Sequence, residues 1–398
     1  MAANIEKFDF DPEKLRQKYR EERDKRLRPD GNDQYKEVKG DFSYFVEDPY
    51  VEEKTERASL KLHTEIAIIG GGFGGMLAAA RIREAGFDDF KIIEKGGDFG
   101  GTWYWNRYPG ASCDIESYIY FPLLEETGFI PKRKYTNAPE TLEYCGVIAE
   151  KFNLYENSIL QTEVTETKWS DDSGLWTIKT NKGDEITANF VVHSNGPLNR
   201  PKLPAIDGIN DYKGHTFHTS RWDYEYTGGS SHGDLKNLSD KKVAIIGTGA
   251  TAVQCIPHLG ASAKELYVFQ RTPSSIDVRA NRETDEAWFN SMKPGWHEKR
   301  RANFEGFLAG EFSGEDLVND GWTEIFRTIL SAFRASGPSK LRMALWALLA
   351  PFNKDFYKKG LKPYMADKFM NFVGKENISN KVETVSYTHL RAHETIAD

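Results

Sequence analysis

Cysteine is scarce in this chain, and the scarcity is informative. Cys113, Cys145 and Cys255 are the only three in 398 residues; they stand far apart, and no C-x-x-C joins any two of them. A disulfide framework, a thiolate zinc site and a redox dithiol therefore find no support, and a reducing compartment, the cytoplasm, is expected. Long apolar runs are missing too. The longest, 343–352, falls well short of the roughly 20 residues that a membrane-spanning helix needs, and it reads as a buried helix. The N-terminus carries charge where a signal peptide would carry an apolar core, so no targeting segment is read there. Nor is there a basic excess: the formal net charge is −7. The cluster of bases from Arg16 to Arg28 is broken by Glu21, Glu22 and Asp24, which is the pattern of a solvated helix face. Neither nucleic acid nor a membrane is an expected partner. What remains is the composition of a globular protein, 39% hydrophobic and 28% charged, with length enough for two or three domains.

The stretch 65–114 organises the rest. A short apolar strand over 65–69 runs into Gly70-Gly71-Gly72-Phe73-Gly74-Gly75, which opens an alanine-rich helix to about Ala85; a second strand over 90–93 ends on Glu94. This is a G-x-G-x-x-G between strand and helix, the context that gives the pattern meaning. Gly70 permits the tight turn, Gly72 lets the backbone approach a pyrophosphate at the helix N-terminus, and Gly75 lets helix and strand pack closely. Glu94 is placed to accept the hydroxyls of a ribose.

Before this unit, Asp11 caps a helix that begins at Pro12, and the remainder of 1–62 reads as an arm lying against the body. After it come a helix over 139–152 capped by Asn137 and a β-rich meander over 163–193, with turns at 171–174 and 181–184. The meander ends in a strand expected to be buried, Phe190 to His193, and a turn through Pro197. A second dinucleotide unit follows: a strand over 242–246, the loop Gly247-Thr248-Gly249-Ala250-Thr251-Ala252-Val253, and a strand over 266–269. Ala252 stands where the third glycine would be, which the pattern permits. The offset that separates Gly70 from Glu94, applied from Gly247, lands on Arg271, followed by Thr272. A guanidinium there pairs with a 2′-phosphate where a carboxylate would repel it, so NADPH is expected over NADH. From about Glu283 the aromatics fall at helical spacing, and an interval of helices filling a core is expected.

Two further segments carry a resemblance. Gly100-Gly101-Thr102-Trp103-Tyr104-Trp105 continues to Tyr108-Pro109-Gly110 and Asp114, and Tyr212 to Asp223 contains Gly214, His218 and Trp222-Asp223 in the order aromatic-x-G-x-x-x-H-x-x-x-W-D. Together they resemble the type I Baeyer–Villiger monooxygenases, with Tyr212 departing from the usual Phe. The resemblance extends over about residues 10–384 and looks most like the branch acting on large or cyclic ketones. It implies an α/β fold of two Rossmann-like dinucleotide-binding domains, for FAD and NADP, with a helical insertion and an N-terminal helical arm. The divisions it suggests are an arm over 1–62, the first part of the FAD domain over 63–205, the first part of the NADP domain over 206–282, a helical insertion over 283–376 and a return over 377–398.

By the same resemblance the activity would be oxidation of ketones to esters or lactones, using FAD, NADPH and O₂ with a small-molecule ketone. FAD would meet Gly70, Gly72, Phe73, Gly75, Glu94, Thr102, Trp103, Asp114, Tyr120 and Val164, the aromatic segment walling the flavin. NADPH would meet Gly247, Thr248, Gly249, Ala250, Thr251, Ala252, Val253, Arg271 and Thr272. Asp114 would be catalytic beside the flavin, and His218 would act indirectly through the linker. An N- or S-oxygenating flavin monooxygenase and a catalytically incomplete nucleotide-binding fragment are the alternatives. The last residues, Ser386 to Thr395, resemble translated adaptor sequence, and the arginine that would pair with Asp114 is expected beyond the end of this chain.

Overall fold

The computed structural model describes residues 11–273, 276, 278–309 and 314–327. Its centre is a six-stranded sheet in the order Ser158–Ile159, Phe90–Ile93, Lys61–Ile69, Glu185–His193, Leu175–Thr180, Val164–Ser170. The first four strands run parallel, and the last two extend the sheet as an antiparallel meander. Lys61–Ile69 begins four residues before the apolar run does, because Lys61 to Thr64 pair with Glu185 to Ala188. At its C-terminal end Ala67 and Ile68 are both wholly buried, as expected of a parallel strand covered on two faces.

Each face has its own core. Ile68, Phe90 and Ile92 pack with Met76, Ala79 and Ala80 of the helix Phe73–Glu84 and with Tyr144, Cys145 and Ile148 of the helix Ala138–Lys151. Asn137 caps that second helix, its side chain accepting from the Glu140 amide. On the other face Ala67 and Ile93 join Ile159, Ile178, Ile186 and Ala188. An ion pair to the buried Asp184 ties down the meander: Arg57 donates to both of its oxygens at 2.6 and 2.7 Å. The Thr180 hydroxyl and the Leu60 amide donate to the same carboxylate.

The strand Glu185–His193 departs from expectation. Among the described residues it is paired on both edges over 185–188 but only with Lys61–Ile69 beyond them, and Phe190 is left 61% exposed. One edge of the strand is open at 190–192, so this apolar run does not mark a stretch closed on both edges.

The second unit consists of two parallel strands, Lys242–Ile246 and Glu265–Phe269, with the helix Ala250–Ser262 between them in sequence. Its core is not its own. Ile245, Ala252, Cys255 and Leu259 share one buried cluster with Trp103, Tyr108 and Cys113 of the aromatic segment and Trp222 of the linker.

At the N-terminal side the helix Pro12–Arg26 is capped by Asp11, and Tyr35–Glu37 pairs antiparallel with Lys202–Pro204. Beyond the second unit are the helices Glu286–Asn290 and Trp296–Ala309, whose Phe289, Phe304 and Phe307 are buried. The aromatic spacing there marks core, as read. Residues 343–352 and the return from 377 lie outside the described residues.

Candidate dinucleotide sites

Three glycines shape the first loop for three reasons. Gly70 has φ +106°, and a Cβ on it would stand 2.8 Å from the Ser194 carbonyl oxygen. A Cβ on Gly75 would stand 1.9 Å from the Gly70 carbonyl oxygen, so helix and strand approach as closely as only glycine allows. Gly72 differs: a Cβ there would meet Gly101 Cα at 3.4 Å, an ordinary contact. The protein's own packing does not require glycine at 72. What the missing side chain keeps open is a cleft of about 540 Å³ that Gly72 lines. The helix Phe73–Glu84 starts at its edge with no side chain capping it, leaving first-turn N–H groups to an anion.

Gly70, Phe73, Glu94 and Thr102 line the same cleft, and so do Trp103, Tyr120 and Val164; Gly75 and Asp114 do not. Glu94 is buried at the tip of its strand, where its oxygens accept from the Gly71 and Gly96 amides. Each oxygen keeps a second lone pair, so the carboxylate both closes the loop and can still accept a hydroxyl. Burial raises its pKa, and the two amides oppose the shift. The Trp103 indole donates to the Tyr120 hydroxyl at 3.0 Å, and Phe73 meets Tyr120 edge-on at 5.7 Å, a rigid aromatic wall.

The rest of the aromatic segment serves a different contact from the one expected. Tyr108 donates to Gln254 at 2.7 Å, Gln254 donates to the Ser112 carbonyl at 3.0 Å, and a Cβ on Gly110 would lie 2.5 Å from the Gln254 carbonyl oxygen. The Tyr-Pro-Gly turn is thus docked on the helix of the second unit, while Thr102, Trp103 and Trp105 alone of residues 102–110 line the cleft.

Asp114 is paired among the described residues: Arg279 donates Nη2 to Asp114 Oδ2 at 2.8 Å. The guanidinium lies 5.8 Å from the ring centres of both Tyr135 and Trp322. Burial pushes the Asp114 pKa up, and Arg279 pulls against it. Arg279 escaped the sequence reading because nothing local marks it; only the chain's return past the first unit brings it to Asp114. Two residues on, Glu116 is wholly buried against Arg300 and Lys134, which anchors the helix Trp296–Ala309 to this segment.

The second loop repeats the first in outline. Gly247 has φ +105° and donates to the Phe269 carbonyl at 2.9 Å, as Gly70 does to Ile93 at 2.9 Å. Gly249 precedes the helix Ala250–Ser262, which also lacks a side-chain cap. Thr251 and Val253 fall in that helix's first turn, where Val253 donates back to the Gly249 carbonyl. Thr248 donates to the Thr272 carbonyl at 3.3 Å, and Arg271 stands exposed past the strand end, hydrogen-bonded to Gln34. In the linker His218 is held in its neutral form, its pKa pushed down to about 4 by burial, with Arg221 adding repulsion. Its Nδ1 accepts from the Ser220 amide at 3.1 Å, which makes it a cap. Trp222 is buried, its indole donating to Thr227, and Asp223 caps the next turn.

The family described as pyridine nucleotide-disulphide oxidoreductase matches residues 67–285, a span that takes in both glycine loops. The disulphide of that description has no counterpart here, since all three cysteines are buried and unpaired. A Baeyer-Villiger monooxygenase of Stachybotrys chlorohalonatus is 51% identical over 332 residues, 83% of this chain and 53% of its own length. Neopentalenolactone D synthase of Streptomyces avermitilis is 52% identical over 79% of this chain and 53% of its own length. Among solved structures, a polycyclic ketone monooxygenase from the fungus Thermothelomyces thermophila superposes with a TM-score of 0.74 at 34% identity, covering 95% of this chain and 63% of that one. The chain belongs to the Baeyer–Villiger monooxygenase family. It spans about half the length of the curated relatives it matches.

Proposed function

We propose that the chain carries the nucleotide-binding part of an FAD- and NADPH-dependent Baeyer–Villiger monooxygenase that turns a ketone, with O₂, into an ester or lactone. The observation that carries this reading is the shared core: two glycine loops, each opening an uncapped helix, are packed together through Trp103, Trp222 and Cys255. Bound FAD would supply oxygen activation and NADPH the electrons for it. The first cleft fits a flavin dinucleotide on this protein's own geometry, because Gly72 leaves open a space that no described residue fills.

In this reading Gly70, Gly72 and the start of the helix at Phe73 would hold the pyrophosphate of FAD, and Glu94 its ribose. Thr102, Trp103, Tyr120 and Val164 would bind the flavin. Gly247 to Val253 would hold the second pyrophosphate, and Arg271 and Thr272 the 2′-phosphate. Asp114 would act beside the flavin, its carboxylate held by the ion pair with Arg279. His218 positions the linker and transfers no proton. Three buried, unpaired thiols fit a reducing cytoplasm.

The test is the absorbance spectrum of the purified protein, followed by product analysis with a cyclic ketone and a thioether. Copurified flavin with NADPH-dependent ester is the expected result. Sulfoxide without ester, or no flavin at all, would overturn it.

A further inference from the structure

A hydrogen bond joins the N-terminal arm to the tip of the second unit. Arg271 donates Nη1 to Oε1 of Gln34 at 2.6 Å, although 237 positions separate them in sequence. The amide is itself fixed. Its Nε2 donates to the Gly31 carbonyl at 2.7 Å, and the Gln34 backbone carbonyl accepts from Ala205 at 2.9 Å. The strand Tyr35–Glu37, which starts at the next residue, pairs with Lys202–Pro204. With the amide nitrogen engaged, Oε1 is the atom turned toward the guanidinium.

The partner's neutrality matters as much as its position. A carboxylate at 34 would orient Arg271 equally well and cancel its charge. An amide orients it and leaves the charge whole, and among the described residues Nε and Nη2 of Arg271 meet no acceptor. A long side chain held in place beforehand has less freedom to lose when its ligand arrives.

We propose that Gln34 is a specificity-determining positioning residue: as a neutral partner it holds the Arg271 guanidinium oriented and open at two nitrogens for the 2′-phosphate of NADPH. This rests on the reading of Arg271 as the 2′-phosphate residue, and the experiment separates the two. Dissociation constants for NADP⁺ and NAD⁺ are measured by tryptophan fluorescence on the purified protein and on Gln34→Ala, Gln34→Glu and Arg271→Ala. Gln34→Ala should weaken NADP⁺ by about 3- to 10-fold and leave NAD⁺ unchanged. Gln34→Glu should weaken NADP⁺ further, by roughly 10-fold or more, since its carboxylate pairs with Arg271 and repels the phosphate. If Arg271→Ala weakens NADP⁺ while both Gln34 variants bind like the parent, the positioning role is refuted and the reading of Arg271 stands. If Arg271→Ala leaves NADP⁺ unaffected, the reading itself fails. Equal weakening of both nucleotides by the Gln34 variants would show a merely structural role for the arm and likewise refute the proposal.

Discussion

Gly72 and Gly75 lie three residues apart in one loop, yet adding a methyl group to each should have opposite consequences. At Gly75 the new Cβ would sit 1.9 Å from the Gly70 carbonyl oxygen. That oxygen belongs to backbone anchored by the Gly70–Ile93 hydrogen bond at 2.9 Å, so it cannot swing aside as a side chain would. Relieving the contact requires the helix Phe73–Glu84 to retreat from the sheet, and overpacking of this kind costs about 1–3 kcal/mol. In a chain of this length that corresponds to a melting temperature lower by roughly 1–5 °C. At Gly72 the backbone is already extended, and the new Cβ would make only a 3.4 Å contact with Gly101. Gly72→Ala should therefore fold with stability within about 0.5 kcal/mol of the parent while retaining far less FAD, and Gly72→Val should retain none. Unfolding has to be compared on flavin-stripped protein, because a bound ligand adds stability of its own. Gly72→Val that copurifies with stoichiometric FAD, or Gly75→Ala that melts with the parent, would break the argument.

Three other perturbations follow from particular contacts. Arg57→Ala leaves the Asp184 carboxylate, 1% exposed, without its cation and should cost about 3–5 kcal/mol in urea unfolding. Because Arg57 holds the Asp184 pKa below its ordinary value, the stabilisation is present above about pH 4 and fades as pH falls, so the variant should lose part of the parent's acid sensitivity. Arg271→Ala should weaken NADPH by roughly 10- to 150-fold relative to NADH in coenzyme titrations, the value of a charge-assisted pair; equal losses would sink the assignment. His218 has its pKa depressed to about 4, so the neutral ring contributes stability above the unfolded value near 6.5 that is lost as pH drops toward 4. His218→Gln should flatten the change in urea midpoint between pH 7 and pH 5 without altering activity profiles above pH 6, where the parent ring is already neutral.

Both nucleotide units were legible because each is local: strand, loop and helix occupy one short run, and backbone sterics rather than distant contacts dictate the glycines. The strand 90–93, the Asn137 cap and the meander turns were readable for the same reason. What escaped was set by distance. Arg279 meets Asp114 across 165 positions and Gln34 meets Arg271 across 237, and no periodicity records either pairing. The Tyr-Pro-Gly turn was misplaced for a subtler reason. Aromatics next to a dinucleotide loop suggest a cofactor wall, but Trp103 and Tyr108 face different partners, and only the former lines the cleft. Phe190 shows the limit of apolar runs, which mark hydrogen-bonded strands more surely than covered faces.

The position of Gln254 shows why the two nucleotide sites should not be treated as independent. It sits on the helix of the second unit, yet its side chain accepts from Tyr108 and donates to the carbonyl of Ser112, two residues before Asp114. The same helix contributes Ala252 and Cys255 to the core that holds Trp103, whose indole in turn fixes Tyr120 in the first cleft. A shift of this helix on filling the second site would therefore reach the aromatic wall through the shared core and the segment leading to Asp114 through Ser112. Close-packed contacts transmit such shifts instead of absorbing them, because a core without voids cannot yield locally. Ala252 marks where the two loops differ. The first unit needs glycine at the equivalent Gly75, whereas the second accommodates a methyl group that is buried in the common core.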